Sequence, residues 1–427
     1  MKRNKIIMLI LSVSMLGGLL GGCGNSSDSK GEKVTIEYWH TNSETRGGPT
    51  VEEQIKAFNE ANPDIEVIGR YNDGYDGLMQ NLQADAAAGN TPDLVQVSYS
   101  NLEYFPNNFS YTAPDELMEN YSDNPEFISD NFAENIISLG TDSQGDLVGF
   151  PYAVSNPILY YNKDILQEAG LTDAPETWEE VKDYALTIKE TTGKNAFHLQ
   201  ENDTWALQAL LECNGGSFLT WTDGTPECTI ADPASAEAFQ LYADMTLNDK
   251  TSVHISTDEA LQAFNAGELA MLASSCANLA GIEESASFEI GTAPFPVFEG
   301  KERAVPAGGC VLAVTSQDDE KKKAVAKFIE FLYEDDNLVD WVEGTGYVAP
   351  TDSALNSDGM QQLLAEDSLR EAASSQVEDI IPWAAFPGDS GLQAQQYISD
   401  ARDQILNGED INTALTECQN SINALFE

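Results

Sequence analysis

Positive charge is what this chain lacks most. Of its 427 residues only 21 are Lys or Arg, against 71 Asp or Glu, a formal net charge of −50. A nucleic-acid partner calls for a basic face, and an anionic membrane surface attracts clustered Lys or Arg. Neither partner is expected here. The acidity is expected to act through solubility and self-repulsion at the surface. Histidine is scarce too: His40, His198 and His254 are the three, far apart in sequence and without an evident acid–base arrangement. The six cysteines include no C-x-x-C, so no metal site is expected. G-x-S-x-G, H-E-x-x-H and Walker-type loops are missing, so neither an enzyme nor a cofactor is expected. Among 71 acidic residues some pair stands at glycosidase spacing by chance, and such a pair carries no information. Beyond the N-terminus no stretch is apolar enough to span a bilayer.

What is present begins with Lys2, Arg3 and Lys5, an apolar run over 6–20, and then Leu20-Gly21-Gly22-Cys23. This pattern predicts a secretory signal over residues 1–22 that ends in a lipoprotein box. Small residues open the backbone to a peptidase, and the Cys23 thiol is the nucleophile that accepts the lipid. Lipid anchoring differs physically from spanning. An ordinary secretory signal with Cys23 incidental is the plainer alternative, and it places the chain outside the cytoplasm as well. Residues 23–33 are polar and low in complexity, a flexible tether. A protein so placed captures, cleaves, builds or senses something at the cell surface.

Five cysteines remain: Cys213, Cys228, Cys276, Cys310 and Cys418. The odd number leaves at least one free thiol unless a bond forms between molecules. Cys213 and Cys228 flank a Gly-rich segment that reads as a hairpin, and either a disulfide across it or two separate buried thiols fits.

At 427 residues and 42% hydrophobic content the chain suffices for two domains or one large one. Residues 34–39 read as a strand. Val51, Ile55 and Phe58 mark a helical face that Asn62-Pro63 stops, and 65–68 is the next strand. Leu78, Leu82 and Ala86 mark a second helix, and 93–97 is a near-continuous apolar strand of the buried kind. This alternation opens an α/β sheet. The middle repeats it: a strand over 158–161, a capping box at Thr177-x-x-Glu180, and a strand over 269–273. Val325, Phe328, Ile329 and Leu332 form the inner face of a late helix whose Lys321–Lys323 run reads as a solvated face. The stretch from Gln393 onward is helical.

Aromatic, Gly, Ser and Asn residues recur at predicted strand ends and loops: Trp39-His40, Tyr75, Ser155-Asn156, Trp205, Ser274-Ser275, Gly308-Gly309, Tyr347, Trp383 and Phe386. Ligands of open α/β sheets sit beyond the carboxyl ends of the strands. Ser and Asn side chains and free backbone N–H groups beside stacking rings suit a neutral polyhydroxylated solute. Each residue has a plainer reading as well. Trp39 and Trp205 fit a core as readily as a site, Gly308-Gly309 fits a tight turn, and Trp341 and Trp178 read as packing.

Four stretches, taken together, carry a resemblance: VTIEYWH at 34–40, FPYAVSNPILYYNKD at 150–164, TWEE at 177–180, and FNAGELAM at 264–271 followed by Ser274-Ser275, with GTGYVAP at 344–350 downstream. The mature chain resembles, nearly end to end, the extracellular solute-binding proteins of family 1, receptors of ABC-type carbohydrate importers. The resemblance implies an α/β, two-lobed, periplasmic-binding-protein-like (type II) fold with a hinge and an interlobe cleft. Its partners would be a carbohydrate ligand, the transmembrane subunits of an ABC importer and, through Cys23, the membrane; the receptor would act as a monomer. Crossovers are expected near 152–157, 274–278 and 331–336. Lobe one would be 34–154 plus 277–332, and lobe two 158–273 plus 336–427.

The chain is most similar in flavour to the glycerol-phosphate-binding branch. That likeness implies ligand-binding roles for Tyr75, Ser155, Trp205, Ser275, Gly308, Gly309 and Tyr347, and the expected set adds His40, Asn156, Trp383 and Phe386. The branch carries an Arg in the loop that here reads IPWAAFPGDSG at 381–391, where Asp389 stands and no basic residue does. A phosphate dianion needs charge-assisted donors, so the departure favours a neutral mono- or oligosaccharide. Glycerol phosphate or a diester, with Arg46 as substitute cation, is the alternative ligand. A surface glycosidase and a sensor subunit are the alternatives in other classes. Cys276 and Cys310 each adjoin an expected ligand loop and are expected to approach each other near the hinge, where a disulfide could join them.

Overall fold

In the computed structural model, residues 33–44, 46–388 and 391–426 are described. The predicted signal, Cys23, most of the tether and Asp389 lie outside them.

Strand β1 (Val34–His40) buries Ile36, Tyr38, Trp39 and His40. It pairs in parallel with β2 (Ile65–Tyr71) on one side and β3 (Leu94–Ser98) on the other. All five residues of β3 are buried, as its unbroken apolar run requires of a central strand. The antiparallel strand β12 (Gly308–Val314) is inserted between β3 and β4 (Phe150–Ser155). The first sheet therefore has the order β2-β1-β3-β12-β4.

The second sheet, β10-β5-β9-β6, comprises β5 (Pro157–Asn162), β6 (Asn195–Leu199), β9 (Leu269–Ser275) and β10 (Ile290–Pro294). Two smaller pairs complete the strands. One is the hairpin of β7 (Leu219–Thr222) and β8 (Thr225–Cys228); the other is a short parallel ribbon of β11 (Val305–Pro306) and β13 (Ile380–Ile381).

The chain leaves the first sheet at Ser155 and enters the second at Pro157, with Asn156 alone between them. This residue is 0% exposed. Its Nδ2 donates to the Ala373 carbonyl (2.9 Å), and its Oδ1 accepts from Gln376 Nε2 (2.8 Å).

The later passages differ from the sequence expectation. β10 pairs antiparallel with β5, so residues 290–294, assigned to lobe one, belong to the second sheet, and the return to the first sheet completes only at β12. A five-residue strand carrying Gly291 has no hydrophobic signal to announce it. Gly291 is there because a Cβ would meet the Tyr161 ring at 2.1 Å. The helix Asp335–Thr345, most of which was assigned to lobe two, packs with the first sheet. Its Trp341 stacks on Tyr152 of β4 (4.5 Å), and Gln54 Nε2 donates to the Asn337 carbonyl. A helix's own sequence names its apolar face but not the sheet that face meets.

The capping box at Thr177 is present. The lysine run is more than a solvated face: Lys321 bonds Asp93 (2.9 Å), and Lys322 is buried over the Tyr121 ring. Phe328 packs edge-on against Tyr38 and Phe58, holding the helix Asp319–Leu332 to the first sheet. The helices Gly391–Leu406 and Ile411–Asn423 lie with the second sheet's elements, through Arg402 to the Glu201 carbonyl and Gln419 to the Ala231 amide. The cysteines Cys213, Cys228, Cys276, Cys310 and Cys418 are all buried and free.

Candidate functional site

The passage from β4 to β5 brings the carboxyl end of β4 against β12, with Gly308 opposite Ser155. A Cβ on Gly308 would fall 2.6 Å from Ser155 Oγ and 3.1 Å from the Trp205 ring. A methyl there would require the Ser155 hydroxyl to turn and the Trp205 ring to yield. Gly309 has φ +109°, and a Cβ there would stand 2.0 Å from the Ala153 carbonyl oxygen. Trp205 opens the helix Trp205–Glu212. Its backbone amide donates to Asp203 Oδ1 (3.0 Å) and its Nε1 to the Pro306 carbonyl (2.9 Å). Ser155, Gly308 and Trp205 are thus brought together from three distant parts of the sequence.

Tyr75 and Tyr347 adjoin them. The Tyr347 phenol faces that of Tyr75, which also faces the Cys310 thiol and Thr41. Burial, then the neighbouring thiol, pushes both phenols up, so they act as neutral hydrogen-bonding groups. Tyr347 stacks on Trp341 (5.5 Å, 13°). Gly346, at φ +76°, lets the chain pass where a Cβ would lie 2.8 Å from the Cys276 carbonyl. That brings the turn after Ser275 to the same place. Ser275 Oγ accepts from the Ala277 amide, so the hydroxyl is already engaged in capping the turn.

A cavity of about 410 Å³ is lined by Gln208, one helical turn on from Trp205, and of the expected residues by Trp383 alone. Tyr99, Glu103 and Asp142 wall it from the first sheet's side. Gln208, Glu212 and Trp221 wall it from the other, and the loop carrying Trp383 closes it. Glu103, Asp142 and Glu212 are its charged lining residues, and no Lys or Arg among the described residues joins them. Burial pushes Glu212 up to about 7 and raises Glu103, even though Ser143 donates to the latter twice. Asp203 is pushed up to about 6, mainly by burial and in smaller part by Asp76, which approaches from the helix Gly74–Ala88 of the first sheet's side.

The remaining expected residues stand elsewhere. His40 lines a separate groove of about 810 Å³ between the helix Gly48–Ala61 and β2, beside Tyr71. Burial lowers its imidazole to about 4. Asn156 spends its side-chain amide on the crossover. Phe386 is 2% exposed and stacks on Phe426, a core contact. Trp39 is core, under the Arg70 guanidinium (4.2 Å). Cys276 and Cys310 form no disulfide; each thiol is buried beside Tyr347 instead. Arg46 is exposed and acts on Tyr347 and Tyr71 from outside the cavity lining.

Gln208 and Glu212 were not expected from the sequence, although a signal was there. Counted from Trp205 they fall at i+3 and i+7, on one helical face. Tyr99, Glu103 and Trp221 carry no such signal.

Residues 53–366 match the family profile described as bacterial extracellular solute-binding protein. Among curated relatives, the sn-glycerol-3-phosphate-binding periplasmic protein UgpB of Escherichia coli K12 is 28% identical over 378 residues, 84% of this chain and 83% of that one. Its namesake in Salmonella typhimurium LT2 is 28% identical over 335 residues, 75% of each. Among solved structures, UgpB from Mycobacterium tuberculosis in complex with glycerophosphocholine superposes with a TM-score of 0.80 at 25% identity, covering 92% of this chain and 98% of that one. The cyclic alpha-maltosyl-1,6-maltose binding protein from Arthrobacter globiformis gives 0.78 at 22% identity, over 92% and 99%. The likeness shows the two-lobed, periplasmic-binding-protein-like α/β fold, with a hinge and a cleft between the lobes.

Proposed function

The chain belongs to the bacterial extracellular solute-binding proteins, and from that premise we propose that it is a lipid-anchored receptor for a neutral mono- or oligosaccharide, which it delivers to an ABC-type importer. The two sheets are the cores of the lobes, Asn156 lies at the hinge, and the solute occupies the cleft containing Ser155, Trp205, Gly308, Tyr347 and Trp383. Cys23 carries the anchor. The chain does no chemistry on its solute.

The cavity lining supports the neutral class. Aromatic faces at Trp221 and Trp383 suit the apolar face of a sugar ring, while Glu103, Asp142 and Glu212 are the lining charges. A phosphate charge roughly 8 Å from one ionised carboxylate meets about 2 kcal/mol of repulsion at an effective dielectric of 20, with no cation in the lining to offset it.

Glycerol phosphate is the second reading. The names of the curated relatives favour it, with Arg46, whose charge lowers the Tyr347 phenol, as its cation.

A thermal-shift screen with neutral saccharides and glycerol phosphate, followed by calorimetry, separates the two. A neutral saccharide should raise the melting temperature and bind with little dependence on salt. Tight, salt-sensitive binding of glycerol phosphate that disappears in Arg46→Ala would establish the second reading instead.

A further inference from the structure

Trp383 lines the cavity without a hydrogen bond of its own. Its indole Nε1 is buried and has no hydrogen-bond partner. The ladder that leads to it stops two residues earlier, where the Ala307 amide donates to the Ile381 carbonyl (2.8 Å) at the end of β13. Pro382 has no N–H to continue that ladder.

What continues it is a side chain. Gln208, 2% exposed on the helix Trp205–Glu212, donates from Nε2 to the Pro382 carbonyl (3.1 Å) and accepts at Oε1 from the Ala384 amide (3.0 Å). Its amide group therefore bridges the residues on either side of Trp383, as a neighbouring strand's peptide would. The same Nε2 donates to Glu212 Oε1 (3.1 Å). Turning the amide over would set its carbonyl oxygen against the Pro382 carbonyl and its NH2 against the Ala384 N–H. One orientation alone satisfies all three contacts. Gln395 holds the far side of the loop, donating to the Ala384 carbonyl (3.1 Å).

We propose that Gln208 is the positioning residue for Trp383: its side-chain amide, which bonds Pro382 and Ala384 in one orientation and is braced by Glu212, sets where the indole stands in the cleft. The consequence for affinity rests on the receptor reading above; the placement itself does not. Trp205 and Gln208 sit one helical turn apart, so a single rigid helix presents one cleft aromatic directly and steers a second through the amide.

The test needs no ligand. The chain holds six tryptophans. Fluorine NMR of the whole protein labelled with 5-fluorotryptophan gives one line for each, and Trp383→Phe identifies the line of Trp383. In Gln208→Met, which keeps the bulk and removes all three hydrogen bonds, the Trp383 line should shift or broaden. The lines of the core residues Trp39, Trp178 and Trp341 should hold. Gln208→Glu keeps the acceptor for Ala384, removes the donor to Pro382, and should move the same line; it serves if the Met variant does not fold. A Trp383 line that stays in place while the core lines report a folded protein overturns the proposal. So does a change spread equally over the core lines, which would make Gln208 a support of the fold alone. A thermal-shift screen in which no solute binds would overturn the receptor reading and leave this placement standing.

Discussion

Gly308 and Gly309 are adjacent, equally buried and on one strand, yet alanine should act on them in different ways. At Gly309 the added Cβ would stand 2.0 Å from the Ala153 carbonyl oxygen, with φ at +109°. The clashing atom is backbone of the paired strand β4, so relief requires β12 to move away from it. The conformational strain alone costs about 1–3 kcal/mol. Disturbing two or more ladder hydrogen bonds adds roughly 1 kcal/mol each, so Gly309→Ala should lose about 3–5 kcal/mol of stability. At Gly308 the nearest atom is the Ser155 hydroxyl, which can rotate, and the Trp205 ring at 3.1 Å must yield by a few tenths of an ångström. Gly308→Ala should lose about 1–2 kcal/mol, the lower part of the overpacking range, and a methyl between Ser155 and Trp205 should weaken solute binding. Urea unfolding followed by circular dichroism measures the first difference, and calorimetry of the folded Gly308 variant measures the second. Equal midpoints for the two variants, or a Gly309→Ala midpoint within 1 kcal/mol of the parent (below the lower limit of the strain alone), would refute the reasoning.

Three further outcomes are expected. Trp383→Ala should weaken saccharide binding by roughly 1–3 kcal/mol, the stacking and apolar area of one ring, in a calorimetric titration. His254 is raised above its ordinary value mainly by the hydrogen bond to Glu201 (2.6 Å). Its protonated form therefore stabilises the fold fully below the unfolded pKa of about 6.5, and that contribution is lost as pH rises through the higher folded value. The unfolding midpoint of the parent should accordingly decline across that window relative to His254→Gln, and parallel profiles for the two would contradict the pairing. With five free buried cysteines, reductant should leave the melting temperature unchanged. Alkylation after unfolding without reductant should label Cys213, Cys228, Cys276, Cys310 and Cys418; a protected Cys276–Cys310 pair in the mass spectrum would show otherwise.

The opening strands and helices were legible because each is amphipathic or continuously apolar in its own sequence: β3 reads as a buried strand from five residues, and Thr177 announces its helix through Glu180. Gly308-Gly309 and Ser155 were legible as candidates, but why two glycines are needed became clear only from their neighbours Ala153 and Trp205. The differences between expectation and structure share one cause. Phe386, Asn156 and His40 have the right chemistry for a sugar site, and nothing local to them encodes that Phe426, Gln376 and Tyr71 would meet them first. The helix Asp335–Thr345 shows the same at larger scale: its Trp341 stacks on Tyr152, nearly two hundred residues earlier in the chain.

The β7–β8 hairpin reaches into two environments at once. Leu219 and Trp221 wall the 410 Å³ cavity, while two residues on, the exposed turn at Asp223-Gly224 has positive φ at both positions, 52° and 75°, the two-residue geometry that tolerates little but Gly, Asn and Asp. The hairpin is therefore a short lever with one arm at the solute and one in solvent. For a biosensor, that makes its tip the natural seam: a fluorescent reporter spliced between Asp223 and Gly224 would feel occupancy of the cleft through four residues of strand. The same splice at Asn156 would cut the single residue that joins the two sheets between β4 and β5.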